Sequence, residues 1–238
     1  MTPGLSTLLS VVLALCPGAH NRQTGNDRPL VTHEVVGMSL GIVSVHVLRF
    51  SPADVEIKLL FPQKEGELQR VEEMAGCMSS LACFNASFFT PENRPLGVLV
   101  SEGKRIQRVR RGSWRIFWVG RDRIPRMDSR SEFSWREAEF AVQSGPLMVK
   151  GGKVQMDMRA SLARRTAIGI DGRGRVVLLV TTLPVSLDAL ARMAVARLEV
   201  RDLLNLDGGS SCQLWMKHSP RARVTGDPVA VGAALSGR

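Results

Sequence analysis

The chain has 238 residues, of which 44% are hydrophobic and 23% charged, enough apolar material for one packed domain and too much for a disordered chain. Lys and Arg number 32 against 22 Asp and Glu, and the formal net charge of +10 favours anionic partners: nucleic acid, acidic lipid or a phosphate-bearing polymer. Tyr is absent and the aromatic residues do not interleave with the basic ones along the chain, so no nucleic-acid partner is expected.

Residues 1–19 read as an export leader. An apolar run over 5–15 has the length of a signal-peptide core and is too short for a transmembrane helix. The segment before it, Met1 to Gly4, lacks Lys and Arg. Residues 13–16 resemble a bacterial lipoprotein box, with bulky Leu15 where a small residue is usual. The expectation is an exported chain: periplasmic, extracellular, or tethered to a membrane by lipid on Cys16. Residues 20–30 form a polar linker, and 31–238 are expected to form one domain.

Strands are predicted over 31–38 and 42–50, and a third over 55–61, where Val55, Ile57, Leu59 and Phe61 alternate with Glu56, Lys58 and Leu60. Between the first two, Gly37-Met38-Ser39-Leu40-Gly41 matches G-x-S-x-G. That motif requires a helix after the serine, whereas 42–50 has strand character, so Ser39 is read as a turn residue. Residues 67–79 read as a helix with Leu68, Val71, Met74, Ala75 and Met78 on one face. A strand over 81–84 delivers Asn85. A hairpin is expected over 96–106, with further strands at 114–119, 140–143 and 147–150. The clearest hairpin joins 166–170 to 176–182 through Asp171-Gly172-Arg173-Gly174. Ser186 caps a second helix running to about Glu199, with Asp188 in its first turn. Strands over 203–206 and 212–216 follow. The sum is an α+β fold, a mostly antiparallel mixed sheet system with about two main helices.

Cys77 and Cys83 are too widely spaced for a zinc knuckle, and Cys16 and Cys212 stand alone. With Cys16 in the leader, at most one intramolecular disulfide forms and one thiol stays free. There is no His-rich or clustered-carboxylate pattern, so neither metal nor cofactor is expected. From Lys104 to Arg130 there are ten basic residues against Asp122 and Asp128. A solvated surface and an anion-binding surface account for this run equally well.

Four segments carry chemistry. In Cys83-Phe84-Asn85-Ala86-Ser87-Phe88-Phe89 a strand presents an amide able to donate to and accept from a sugar hydroxyl or phosphate oxygen, or simply to close a turn. In Gln143-Ser144-Gly145-Pro146-Leu147-Met148 the backbone amides of a Gly-Pro turn after a buried strand can face an anion. Arg164 and Arg165 precede the apolar strand that starts at Thr166, suited to bidentate phosphate binding or to a structural ion pair. In Leu204-Asn205-Leu206-Asp207-Gly208-Gly209-Ser210-Ser211 a strand ends in a carboxylate beside two glycines and two serines. Paired glycines allow close ligand approach, although Asp-Gly also marks plain turns.

In this order and spacing the four segments resemble the phosphodiester glycosidase family, over about residues 83–215. Arg165-Thr166-Ala167-Ile168-Gly169 and Asn205 to Ser211 are specific as a pair. Ala86 and Ser87 stand where many members have two glycines, which narrows the local space. The resemblance implies hydrolysis of a sugar-1-phosphodiester or related glycosidic linkage in an envelope or exopolysaccharide glycan. The partner would be a sugar phosphodiester or anionic glycan. The implied roles are Asp207 as nucleophile or base and Arg165 as phosphate clamp, with Asn85, Ser210 and Ser211 positioning sugar or phosphate oxygens. Arg164, Thr166, Ser144, Gly145, Gly208 and Gly209 would line the substrate. The rival readings are a non-catalytic module for anionic polysaccharide and a metal-dependent phosphodiesterase.

Overall fold

The computed structural model describes residues 29–38, 41–155, 161–219 and 221–238. The leader, Cys16, Ser39 and most of the linker lie outside them. The strands, in chain order, are β1 (Val31–Met38), β2 (Val43–Phe50), β3 (Val55–Leu60), β4 (Ala82–Asn85), β5 (Leu99–Ser101), β6 (Lys104–Gln107), β7 (Arg115–Gly120) and β8 (Pro125–Asp128). They continue with β9 (Ala138–Ser144), β10 (Leu147–Lys150), β11 (Lys153–Val154), β12 (Thr166–Asp171), β13 (Val176–Thr181), β14 (Val200–Asn205), β15 (Leu214–Met216) and β16 (Gly232–Gly237). The one α-helix among the described residues, α1 (Leu187–Leu198), lies between β13 and β14. No helix there is long and apolar enough to cross a membrane.

Three antiparallel sheets result. A seven-stranded sheet has the order β1-β2-β13-β12-β14-β10-β11, a four-stranded sheet β15-β4-β16-β3, and a five-stranded sheet β6-β5-β9-β7-β8. The centre of the seven-stranded sheet is buried on both faces, which explains the near-continuous apolar sequence of β13. Along β13, Val176, Leu178 and Val180 enter one core, and Val177 and Leu179 enter another. The first core is shared with Phe84 and Ala233 of the four-stranded sheet and Phe117, Phe140 and Val142 of the five-stranded sheet. The second is closed by Leu187, Leu190, Ala191, Ala194 and Leu198 of α1. β13 and β14 both run antiparallel to β12 and hence parallel to each other, so α1 is their crossover. Its expected cap is present: Ser186 Oγ accepts from Ala189 N at 3.1 Å, and Glu199 ends the helix in the left-handed conformation.

The fold is mostly β, which corrects the α+β expectation of about two main helices. The segment over 67–79 is not an α-helix. It is a chain of three-residue turns, in which Glu73, Met74, Cys77 and Ser80 N–H groups each donate to the carbonyl three residues back. Val71, Met74 and Cys77 are buried, whereas Ala75 and Met78 are exposed. An apolar residue at every third position suits such turns as well as it suits an α-helix, and Gly76, at φ +93°, breaks any helical continuation. Cys77 and Cys83 form a disulfide, and Cys212 is free and buried. The strands before and after the segment that contains Ser39 are β1 and β2, paired from Val31↔Phe50 to Met38↔Val43, an antiparallel pair and not the strand–helix elbow of a serine hydrolase.

Candidate active site

Strand ends from all three sheets converge. β4 of the four-stranded sheet ends at Asn85, β9 of the five-stranded sheet ends at Ser144, and in the seven-stranded sheet β12 begins at Thr166 and β14 ends at Asn205. The β12–β14 register pairs Ala167 with Asn205. It continues past the strands through Leu206 N donating to Thr166 O at 2.9 Å and Gly209 N donating to Arg164 O at 2.8 Å. Continued in this way, the register sets the backbone of Arg165 opposite that of Asp207. Asp207 N donates to Ala86 O at 3.2 Å, which joins the end of β14 to the end of β4.

Asn85 is fully buried. Its Nδ2 donates to the Asp207 carbonyl at 2.7 Å, and its Oδ1 accepts from Thr166 Oγ1 at 2.7 Å and from Gln213 N at 3.0 Å. The amide expected to meet substrate is therefore spent on protein groups and fixes where Asp207 sits. Thr166 is equally buried, its hydroxyl 3.4 Å from Cys212 Sγ. Burial pushes the Cys212 thiol up to about 11, so it stays protonated and is no nucleophile at neutral pH. Ala86 packs in the core and Ser87 Oγ donates to Leu96 O at 2.7 Å, so neither side chain points to Asp207.

Asp207 is 8% exposed. Desolvation raises its carboxyl to about 6, against hydrogen bonds from the Ser211 side chain and from Gly208 N, at 2.8 Å, that favour the charged form. Gly209, at φ +64°, turns the chain into the short 3₁₀ segment Gly209–Ser211 that returns Ser211 to this carboxyl and leaves Ser210 exposed.

The two arginines differ. Arg164 spends its guanidinium on backbone carbonyls: Nε on Gly209 at 3.1 Å, Nη1 on Thr225 at 2.8 Å and Nη2 on Ser210 at 3.0 Å. It ties down the loop after Asp207 and is not available as a clamp. Arg165 is also 8% exposed, and burial lowers its pKa. Its Nε donates to Val185 O at 3.2 Å and its Nη2 to Ser161, and among the described residues it has no carboxylate within ion-pair distance.

On the five-stranded side, Gln143 does not reach the site. Its Oε1 accepts from Arg110 N and Val98 N, and its Nε2 donates to Arg110 O. Ser144 Oγ and Asn205 Oδ1 are buried without a partner among the described residues, and Asn205 Nδ2 donates to Gly145 O at 3.0 Å. The Trp114 ring lies against Gly145, where a β-carbon would come within 2.9 Å of it, and packs on Phe88 at 5.4 Å. Sequence reasoning gave Trp114, Cys212 and Gln213 no part in this neighbourhood. Their only signal was adjacency, Cys212 and Gln213 directly following Ser211.

A surface depression lined by Phe61, Lys64, Asn93, Pro95 and Ile106 lies elsewhere and shares no residue with this cluster. It contains no buried ionisable group, whereas the Asp207 cluster contains Asp207 and Arg165. No group of three potential metal ligands occurs among the described residues.

A model of the phosphodiester glycosidase family matches residues 80–235, well over half of the chain. The chain belongs to that family. This phosphodiester glycosidase-family chain is 26% identical over 145 residues to the uncharacterized protein YigE of Escherichia coli K12, covering 56% of the chain and 57% of YigE. It thus spans little more than half of that relative. Its fold is similar to the catalytic domain of zebrafish N-acetylglucosamine-1-phosphodiester alpha-N-acetylglucosaminidase auto-inhibited by pro-peptide. That likeness has a TM-score of 0.71 at 16% identity and covers 90% of this chain and 86% of that one. A hypothetical protein from Synechocystis is similar with a TM-score of 0.62 at 16% identity, over 87% of this chain and 62% of that one. At such identities the structural likenesses show the fold alone.

Proposed function

We propose that this chain is an exported hydrolase that cleaves the C1–O bond of a sugar-1-phosphodiester in an envelope or extracellular glycan. The observation that carries this reading is the pair Asp207 and Arg165. A buried carboxyl raised to about 6 lies across the β12–β14 backbone register from the residue that carries a buried guanidinium, and that guanidinium has no carboxylate within ion-pair distance among the described residues. A buried cation without a counter-charge is costly, and an anionic ligand relieves that cost. The Nε and Nη2 of Arg165 are held by Val185 and Ser161, and its Nη1, which has no partner among the described residues, is the group left to donate to a phosphodiester oxygen.

The leaving group explains how one carboxyl suffices. Cleavage expels a phosphate monoester, whose second pKa is about 6, so it departs without strong protonation, unlike the alkoxide that ordinary glycosidases protonate with a second carboxyl. Asp207 either attacks C1, giving a glycosyl ester that water then hydrolyses, or takes the proton of a water that attacks C1. Both routes yield the free sugar and the phosphate monoester, with Arg165 holding the departing phosphate. Asn85 acts beneath the site by holding the Asp207 backbone.

The test is hydrolysis of an N-acetylglucosamine 1-phosphodiester, the linkage named for the zebrafish enzyme, in isotopically labelled water. The label is expected in the sugar. Label in the phosphate would mean P–O cleavage, and absence of turnover on sugar-1-phosphodiesters would remove the enzymatic reading.

A further inference from the structure

The basic run between β6 and β9 does not scatter over the surface. Three of its arginines, together with Arg136, stack on tryptophan. Arg105 lies 4.6 Å and Arg136 5.0 Å from the Trp135 ring centre, Arg126 lies 4.8 Å from that of Trp118, and Arg110 5.0 Å from that of Trp114. Basic and aromatic residues that do not interleave along the chain thus interleave in the fold. The cause is the outer face of the five-stranded sheet. There Val98, Val100, Ile116, Trp118, Ala138 and Ala141 form a small apolar layer, roofed by Val109, Phe133 and Trp135 from the segments before β7 and β9. Those two roofing segments carry Arg108, Arg110, Arg111, Arg130 and Arg136, and the edge strands β6 and β8 carry Arg105 and Arg126.

The charges are mostly uncompensated. Arg126 pairs with Asp122, with Nη1 2.9 Å from Oδ1. Asp128 accepts from Trp118 Nε1 at 2.7 Å, and Glu132 accepts from Ser129. Among the described residues Arg105, Arg108, Arg110, Arg111, Arg130 and Arg136 form no ion pair and all are exposed. The face also leads to the site. The backbone of Arg110 is bonded to Gln143, the residue before Ser144, and Trp114 beneath Arg110 touches Gly145, whose carbonyl holds Asn205.

We infer that this arginine–tryptophan face is an accessory binding surface for a glycan with repeating anionic groups, which it feeds toward Asp207. A guanidinium stacked on an indole is held flat and keeps its N–H edge for phosphate or carboxylate oxygens. The same stacking occupies the ring faces on which nucleobases would lie, so the geometry favours a polyanion without bases over single-stranded nucleic acid. As applied to catalysis, the inference rests on the proposed reaction at Asp207. It makes the substrate a polymer, with one phosphodiester at the site and further anions along the face.

The test compares two triple variants of the full chain: Arg105→Gln/Arg110→Gln/Arg136→Gln on the face, and Arg173→Gln/Arg192→Gln/Arg201→Gln as exposed controls of equal charge change. The probe is a linear poly(sugar phosphate) of about ten repeats, with single-stranded DNA of equal phosphate number beside it. The face variant should bind the polymer at least about tenfold more weakly, with the slope of log Kd against log salt lowered by about 2, as expected for three lost phosphate contacts. The control should bind like the parent chain. Arg136→Gln alone, which leaves Arg105 on Trp135, should shift both readouts the same way by less and guards against misfolding of the triple. Equal weakening in both triples would overturn the face, leaving net charge as the cause. DNA bound as tightly as the glycan would overturn the assignment to glycan. Face-dependent binding of a polymer that is never cleaved would sink the proposed reaction and leave the face standing. Cleavage by a face variant that binds normally would do the reverse.

Discussion

The Asp207 cluster and the arginine–tryptophan face are both polar regions of a basic chain, and they handle polarity in opposite ways. Around Asp207 nearly every polar atom is buried and committed: the Asn85 amide meets three partners and the Arg164 guanidinium three carbonyls. Asp207 and Arg165 stand out there as buried ionisable groups with hydrogen bonds but no opposite charge within ion-pair distance among the described residues. On the five-stranded face six arginines are uncompensated, but each is exposed and solvated. An unpaired charge costs much where water is excluded and little where it is not. Inside, one substitution should therefore have a large effect. Outside, one substitution should do little, and only several together should register.

Asp207→Asn should show the largest effect, in two opposed directions. Turnover should fall by about two to four orders of magnitude, the range for a lost acid–base group, with substrate still held by Arg165. Stability at neutral pH should rise. The folded pKa, about 6, lies above the ordinary 3.8. Between those values the folded state holds a proton that the unfolded state has released, so stability falls as pH rises from about 4 to about 6 and stays low above it. The full penalty is of order 3 kcal/mol, and the asparagine variant escapes it. Thermal midpoints of the two proteins should coincide near pH 4 and separate by pH 7, the variant being higher. A variant that is less stable at pH 7 and turns over normally would make Asp207 an ordinary turn residue.

Asn85→Ala tests the committed part of the cluster. It leaves the Thr166 hydroxyl, the Gln213 N–H and the Asp207 carbonyl short of a partner in a site without solvent. At roughly 1–3 kcal/mol for each orphaned group, partly relieved by relaxation, a loss of about 3 kcal/mol is expected in chemical denaturation. A residue that touched substrate and held nothing would instead raise KM at unchanged stability.

The same contrast explains what was legible in the sequence. The hairpin of β12 and β13 and the cap of α1 were readable because their signals are local: Asp171-Gly172-Arg173-Gly174 in one, Ser186 three residues before Ala189 in the other. Asn85, Arg165 and Asp207 were found as polar residues at the ends of apolar strands. That Asn85 points inward was not readable, since its partners Thr166 and Gln213 are 81 and 128 residues away. β16 escaped because Gly-Ala-Ala-Leu-Ser-Gly carries little hydrophobic pattern, yet it lies between β4 and β3. The segment over 67–79 misled because a three-residue apolar spacing serves 3₁₀ turns and α-helices alike. The stacking of Arg105 on Trp135 joins residues 30 apart, one in β6 and the other in the segment before β9, so the linear run of charge showed only its sign.

The smallest effect is expected of Arg105→Gln, measured as stability. Its guanidinium lies on Trp135, and a cation–π contact at an exposed position contributes about 0.5–1 kcal/mol. Two things offset that loss. Arg136 remains on the same ring, so Trp135 stays covered. Removing one positive charge from a cluster of like charges relieves repulsion, more so at low salt. The net change should lie within about 0.5 kcal/mol of zero, as for most surface substitutions, and should become slightly more destabilising as salt is added and the relief is screened. The discriminating measurement is the thermal midpoint at low and at high salt. A loss of several kcal/mol at both would mean that the arginine roof holds the outer apolar layer together and that the face is built for stability. A near-zero change leaves those arginines without a structural reason to be there, which is the condition under which a binding role for the face is needed.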